Sequence, residues 1–339
     1  MDLYPLRFQP LLVPKPWGGG KIAGLGRDLP GGPRGSETPI GESWELVDLP
    51  GRSSIVANGA LAGRSLHALI AADAAALLGD VRPTAEGGFP LLVKYLDARE
   101  NLSIQVHPDA AYAAANPGVR SKTEALYVLE AEPGAVVYRG IKPGVSPQQL
   151  QRDALTGTIA DDLIATPVKA GQCLFLPGGT CHAYGAGIFG VEIQTPGDTT
   201  FRLYDWGRTD RELHLDEALA CINFEVGAND FARAERRTHV AGVFATMSKV
   251  CTCEAFTIEK VRMVEQYGQE IPYDRPAVWV VLKGSGVITG SPAGIDVEFN
   301  RGDVLLLPAC LHDARVLIRE DTVWLDIQFP RVGTDILLA

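Results

Sequence analysis

One pattern occurs twice in this chain and narrows the folds open to it. Gly171, five mostly apolar residues, Pro177, a Gly178-Gly179 turn and His182 form the first copy. Gly302, five mostly apolar residues, Pro308, a turn shorter by one residue and His312 form the second. A strand-length run between a glycine and a proline turn, used twice, indicates two related β-domains in tandem. A length of 339 residues agrees with roughly two domains. Many other short apolar or alternating stretches are separated by Gly/Pro turns, the pattern of a jelly roll.

Taken in order, the chain reads mainly as β-structure. Pro14-Lys15-Pro16-Trp17-Gly18-Gly19-Gly20 is expected to be loop. Ser43 to Asp48 reads as a strand. Residues 65–79 are the clearest helix, with Leu66, Leu69, Ile70, Leu77 and Leu78 at helical spacing and Gly79 to end it. Pro90 to Asp97 is a buried strand carrying Lys94. That lysine either reaches an anionic substrate or snorkels to solvent. Trp17 and Trp44 either line a pocket or cover the end of a barrel. Lys94 and Trp17 are carried forward as candidate substrate-binding residues.

Ser103 to His107 alternates, so Ile104 and Val106 share one face while Gln105 and His107 share the other. A short helix is expected over Asp109 to Asn116. Glu124 then opens a strand with Leu126 and Val128 on its own face. Ser146-Pro147 is an N-cap and first-turn proline that start a helix, with helical pieces extending over about 146–165. In Thr199 to Trp206, Thr200, Arg202 and Tyr204 share a face. Residues 207–238 are polar and partly helical, and link two halves. Val278 to Ile288 reads as a hairpin-like pair of strands.

The formal net charge of −10 argues against nucleic acid as a partner, because binding a phosphate backbone needs a basic face. It leaves room for a phosphorylated small molecule, for which one local cationic pocket suffices. No apolar run of about 18 residues is present, so no membrane span is expected. The start has neither a basic n-region nor an apolar h-region, so no signal peptide is expected. The six cysteines form no C-x-x-C pair and read as free thiols in a reducing cytoplasm.

Gln105, His107, Glu124 and His182 are the candidate metal ligands. Two donors on one strand face, a carboxylate opening another strand and a histidine after a turn make a coherent donor set. Imidazole with oxygen donors suits zinc, and also manganese, iron or cobalt.

The first copy of the repeat resembles the second sequence motif of cupins, with Ala186 where that family usually has Asn. The first cupin motif appears altered, with Gln105-Val106-His107 for its H-x-H and an insertion before Glu124. The resemblance narrows further. Gln105-Val-His-Pro-Asp109, Lys122-Thr-Glu124, Gly179-Thr-Cys-His-Ala183 and Asp198-Thr-Thr-Phe-Arg-Leu-Tyr-Asp205 resemble the signatures of type I mannose-6-phosphate isomerases in their short bacterial form. Pro14 to Gly19 and Leu92 to Ala98 agree.

That resemblance implies two tandem cupin (jelly-roll) barrels with a small α-helical insertion in the N-terminal half. A second all-β pattern begins near 239 and shows no counterpart of Gln105, His107 or Glu124, so residues 1–238 are expected to form the catalytic domain and 239–339 a metal-free domain with a structural His312. The resemblance also implies one zinc ion per chain, held by Gln105, His107, Glu124 and His182. Arg202 and Lys122 carry over as catalytic residues, and the substrate would be a sugar phosphate, isomerised between aldose and ketose. The alternatives are another metal-dependent cupin enzyme such as a dioxygenase, and a non-catalytic sugar-binding module.

Overall fold

Side-chain alternation along short strands sets the layers of this molecule. A computed structural model describes residues 1–26, 39–226, 228–235 and 237–330. The chain divides into two compact units. One comprises Leu12–Trp44 and Val93–Arg233; the other comprises Met1–Leu11, Glu45–Leu92 and the chain from Ala234 onward.

The first of these units holds two antiparallel sheets. The five-stranded sheet runs in the order Leu163–Pro167, Val136–Ile141, His182–Tyr184, Ile104–Val106, Phe201–Tyr204. The six-stranded sheet runs Cys173–Leu176, Glu124–Ala131, Ile188–Gln194, Leu92–Ala98, Leu11–Gly19, Ile40–Leu46. Between them lies an apolar cluster that includes Trp17, Leu96, Leu126, Val137, Leu174 and Tyr184. On the other face of the five-stranded sheet, Ile104, Val106, Ala183 and Leu203 pack with Leu150 and Ala154 of the helix Pro147–Thr156 and with Ala218 and Cys221 of the helix Leu215–Cys221. Alternation therefore turns Gln105, His182 and Arg202 to the inner face, opposite their apolar neighbours.

Register places those polar residues in a row. Gln105 stands opposite His182 on one side and opposite Arg202 on the other, and His182 also stands opposite Arg139. Residues paired across antiparallel strands share a sheet face, so one line of the inner surface carries all four.

The second unit is built on a nine-stranded sheet whose central strands are Ala277–Thr289 and Arg315–Gln328. Several expectations change here. No sheet closes into a barrel among the described residues, so the tandem barrels are replaced by open antiparallel sheets. The N-terminal segment joins the C-terminal sheet, because Leu6 pairs with Leu306. The helical stretch near 65–79 belongs to this unit too: Ala309 and Cys310 donate their amides to the carbonyls of Leu77 and Ala76. It is two helices, Leu66–Ala72 and Ala74–Leu78, because the Asp73 side chain accepts from the Ala76 amide and starts a new N-terminus.

Elsewhere the helix begun at Ser146 stops at Gly157, which is left-handed (φ 80), and the chain passes through a 3-10 turn into the strand Leu163–Pro167. The stretch around Val278 to Ile288 is one long strand rather than a hairpin. Gly284 (φ 82) lies against the carbonyl of Asp321, so the strand shifts register there without reversing. Pro14 to Gly19, expected as loop, lies in the strand Leu11–Gly19. The helix Ala110–Ala115 forms as expected, capped by Asp109. All six cysteines are free, and among the described residues no helix is long and apolar enough to cross a membrane.

Candidate active site

Three backbone links draw the site segments together. The Gly179 amide donates to the His107 carbonyl at 2.7 Å, and the Lys122 amide to the Pro108 carbonyl at 2.8 Å. The Gly178 amide donates to Thr123 Oγ1 at 3.2 Å. The glycines are required by this closeness. A Cβ on Gly178 would meet Asp109 Cα at 2.6 Å, and Gly179 has φ 83. The Pro177 turn is thereby tied to the His107 and Lys122 segments, which aims His182 at the same point as His107 and Glu124.

His107, Glu124 and His182 are buried, and one ligand atom from each lies within 4.8 Å of the others. Among the described residues no other group of three or more His, Cys, Asp or Glu meets this test. Each histidine hydrogen-bonds a backbone carbonyl through Nδ1: His107 to Thr199 and His182 to Thr180, both at 2.9 Å. Nδ1 must carry the proton to make those bonds, so in the neutral ring Nε2 is a bare lone pair. Both Nε2 atoms face the Glu124 carboxylate, at 3.0 Å from Oε1 for His182 and 3.5 Å from Oε2 for His107. Burial, then the charge of Lys122, pushes the His107 imidazole well below its ordinary value, so it is neutral at pH 7.

Glu124 shows the opposite balance. Burial alone would raise its carboxyl, but the Lys122 ammonium outweighs burial and holds it well below the usual carboxylate range. Its Oε1 accepts from Tyr184 Oη at 2.9 Å. Lys122 Nζ stands 2.7 Å from Oε2, yet without hydrogen-bond geometry, so Oε2 has no hydrogen-bond partner. Lone pairs converging on an anion in a buried site repel one another unless a cation lies among them, and the donor set fits a divalent metal.

Gln105 borders this group. Its Nε2 is 3.4 Å from His107 Nε2 and 3.5 Å from His182 Nε2, while Oε1 accepts from Ser103 Oγ at 3.0 Å. A half-turn of the amide would present Oε1 to the cluster instead. Arg202 lies beyond it, donating through Nε to Ser103 Oγ at 3.2 Å and through Nη1 to the Glu212 carbonyl at 2.8 Å.

Behind Glu124 runs a file of alternating charges. Lys122 Nζ is 3.6 Å from Glu192 Oε1, and Lys94 Nζ is 2.8 Å from the same oxygen. Lys94 is 3.7 Å from Glu42 Oε1, and Lys15 is 3.6 Å from it. Burial opposes the charge on Glu42, but Lys94 and Lys15 prevail and lower its carboxyl to about 2. Lys94 is buried between two carboxylates, so it does not snorkel to solvent. Trp17, only 2% exposed, belongs to the apolar core between the sheets and is not a pocket wall. Trp44 is also buried and donates its indole N–H to Glu42.

Sequence reading missed Tyr184, Glu192 and Glu42. A signal existed for Glu192: an acid inside a strand whose other residues are nearly all apolar, glycine or amide needs a buried partner. His312 is exposed, and among the described residues it belongs to no group of three or more His, Cys, Asp or Glu that could hold a metal.

The family model for the phosphomannose isomerase type I catalytic domain matches residues 6–137. Mannose-6-phosphate isomerase of Streptococcus mutans is 34% identical over 313 residues, covering 90% of this chain and 92% of that protein. A mannose-6-phosphate isomerase of Bacillus subtilis is 31% identical over 325 residues, covering 93% and 96%. Among solved structures, a mannose 6-phosphate isomerase from Bacillus subtilis superposes with a TM-score of 0.82 at 27% identity, covering 96% of this chain and 99% of that one.

Proposed function

The chain belongs to the type I phosphomannose isomerase family, and from that premise we propose that it interconverts mannose 6-phosphate and fructose 6-phosphate using a divalent metal, zinc, held by His107, Glu124, His182 and Gln105. The convergence of two histidine lone pairs on a buried carboxylate carries this reading. A dioxygenase would use the same three donors, but relatives spanning nine-tenths of the chain are isomerases.

The reaction moves a proton between C1 and C2 of the sugar through a cis-enediol. A C–H beside a carbonyl is too weak an acid to ionise unaided at neutral pH, so negative charge on the sugar oxygens must be stabilised. The bound metal supplies Lewis acidity for that purpose. Arg202 adds a fixed positive charge on the same inner face, one strand over from Gln105. Lys122 Nζ is placed beside the ligand carboxylate, and we assign to it the exchange of a proton with the sugar. Glu192 and Lys94 hold Lys122 from behind, and Tyr184 fixes the orientation of Glu124. The free thiols agree with a place in the cytoplasm.

A coupled assay that follows fructose 6-phosphate formation tests the reading. Chelation should abolish turnover until metal is restored. Arg202→Ala should keep its metal and lose about 100- to 1000-fold in kcat, the usual loss of one oxyanion donor. Full turnover after complete metal removal would exclude the metal mechanism.

A further inference from the structure

Beside the metal-ligand group, the loop after Arg202 builds a second charged structure. Asp205 is 2% exposed. Arg211 grips it with a fork, Nε to Oδ2 at 2.8 Å and Nη2 to Oδ1 at 2.5 Å. Arg208 donates Nη2 to Oδ1 at 2.7 Å and to the Asn101 carbonyl at 2.8 Å, and its Nη1 lies 3.6 Å from Glu100 Oε2. One buried carboxylate thus anchors two guanidinium groups.

The backbone is bent to make this possible. Trp206 is left-handed (φ 54), a conformation disfavoured for so large a side chain, and Gly207 follows it at φ 80. Trp206 is held there by its indole N–H, which donates to the Leu102 carbonyl at 2.6 Å. The reversal brings Arg208 and Arg211 back onto Asp205. It also sets the Glu212 carbonyl against Arg202 Nη1, so Arg211 stands one residue from the group that holds Arg202.

Positive charge is in surplus here. Burial, then the charge of Arg211, lowers the Arg202 guanidinium, while Asp205 and the exposed Asp210 oppose that shift. Arg211 also acts on Lys15, whose amine is lowered chiefly by burial and supported by Glu42. Arg208 and Arg211 share Asp205 as their buried anion, in a chain of net charge −10. Arg208 is turned toward Asn101 and Glu100. Arg211 keeps Nη1 without a hydrogen bond or ion pair among the described residues.

We propose that Arg211 is the principal phosphate-binding residue, positioned by Asp205 and set beside the segment that holds Arg202. This rests on the sugar-phosphate reading above. A guanidinium held by a two-point bond through Nε and Nη2 is preorganised, and its remaining Nη1 edge can donate to phosphate oxygens. Asp205 prevents rotation of the fork, and the bent Trp206-Gly207 backbone keeps Asp205 within reach of it.

Steady-state kinetics with mannose 6-phosphate, with inorganic phosphate as competing ligand, tests this. In Arg211→Ala the KM and the phosphate inhibition constant should rise together, each by about 10- to 100-fold, as expected for loss of one charged hydrogen-bond donor. Metal content should not change, and most of the loss should be in KM. Arg211→Lys should recover part of it by keeping the charge without the fork. Asp205→Asn should raise both constants by about three- to tenfold with Arg211 intact, the loss expected when one charge-assisted bond is weakened. A risen KM with an unchanged phosphate constant, or no change in either, would overturn the assignment. If Arg211→Ala does not fold, Arg211→Lys carries the same test. Calorimetric binding of inorganic phosphate to wild type and Arg211→Lys separates the two readings. Weakened phosphate binding in a protein that never turns over mannose 6-phosphate would preserve the subsite and remove the substrate.

Discussion

The two copies of the Gly-x5-Pro strand end in different surroundings, and the contrast explains why only the first histidine joins the candidate metal group found among the described residues. After Cys173–Leu176, the Pro177 turn presses on the backbone of Asp109, and His182 enters a strand, 1% exposed and hydrogen-bonded at Nδ1. After Val304–Leu307, the equivalent turn docks its amides on the helix carbonyls of Leu77 and Ala76, and His312 remains in solvent. A shared local motif thus supplies a strand, a turn and a histidine. Whether that histidine meets other donors depends on what the turn packs against.

The polar interiors differ as well. The site-bearing unit buries Glu42, Glu124 and Glu192 beside lysines, so burial is offset by opposite charge. The other unit buries Asp326 in an aromatic setting, where Tyr273 and Gln328 donate to Oδ2 and Trp279 and Trp324 pack nearby. Among the described residues no cation is paired with Asp326, Glu259 lies across from it in register, and burial raises its carboxyl to about 7.

The largest contrast should come from the two histidines. His182→Ala should release metal and lower activity by about a thousandfold or more, since it removes a ligand and leaves Glu124 facing one imidazole. His312→Ala should change stability by no more than about 0.5 kcal/mol and leave activity intact, as for most surface substitutions. Metal analysis and kcat on both proteins decide; a His312→Ala variant that lost metal would erase the distinction between the copies.

The turn itself offers a smaller effect. Ala309 occupies the second copy's turn without conflict, whereas Gly178→Ala forces a methyl into the Asp109 backbone. Metal affinity should fall by about 10- to 100-fold, the scale of losses around metal ligands. Titration with a metal indicator would show it, and unchanged affinity would mean that the turn does not aim His182.

The smallest and slowest-varying difference is in pH dependence. Asp326 holds its proton more tightly when folded, so its favourable contribution is complete below about pH 4 and is lost as pH rises through about 7. Glu42 runs the other way: its contribution is present above its ordinary carboxylate range and is lost as pH falls through about 2. Melting followed from pH 4 to 8 should therefore fall in the wild type and flatten in Asp326→Asn, a difference on the order of 5 °C. Parallel curves would mean that Asp326 does not titrate in this range.

Much of the candidate site is legible from local pattern. Period-two alternation turns Gln105 and His107 the same way, and the Gly-x5-Pro spacing singles out His182, because strand geometry and tight turns depend on neighbours in sequence. Ser146 and Asp109 announce helix starts for the same reason. What the sequence could not settle is which charges face one another. Whether Lys94 snorkels to solvent is open until sheet pairing places it between Glu192 and Glu42, and Trp17 is a pocket wall or core until two sheets close over it. The same holds for the units: residues 65–79 declare themselves helical, but only the pairing of Leu6 with Leu306 and the docking of Leu77 and Ala76 on the C-terminal turn assign them to the other half. Backbone propensity acts within a few residues, whereas ion pairs and sheet membership are settled by contacts between segments far apart in the chain. The sequence therefore determined the donors, and the tertiary structure decided their company.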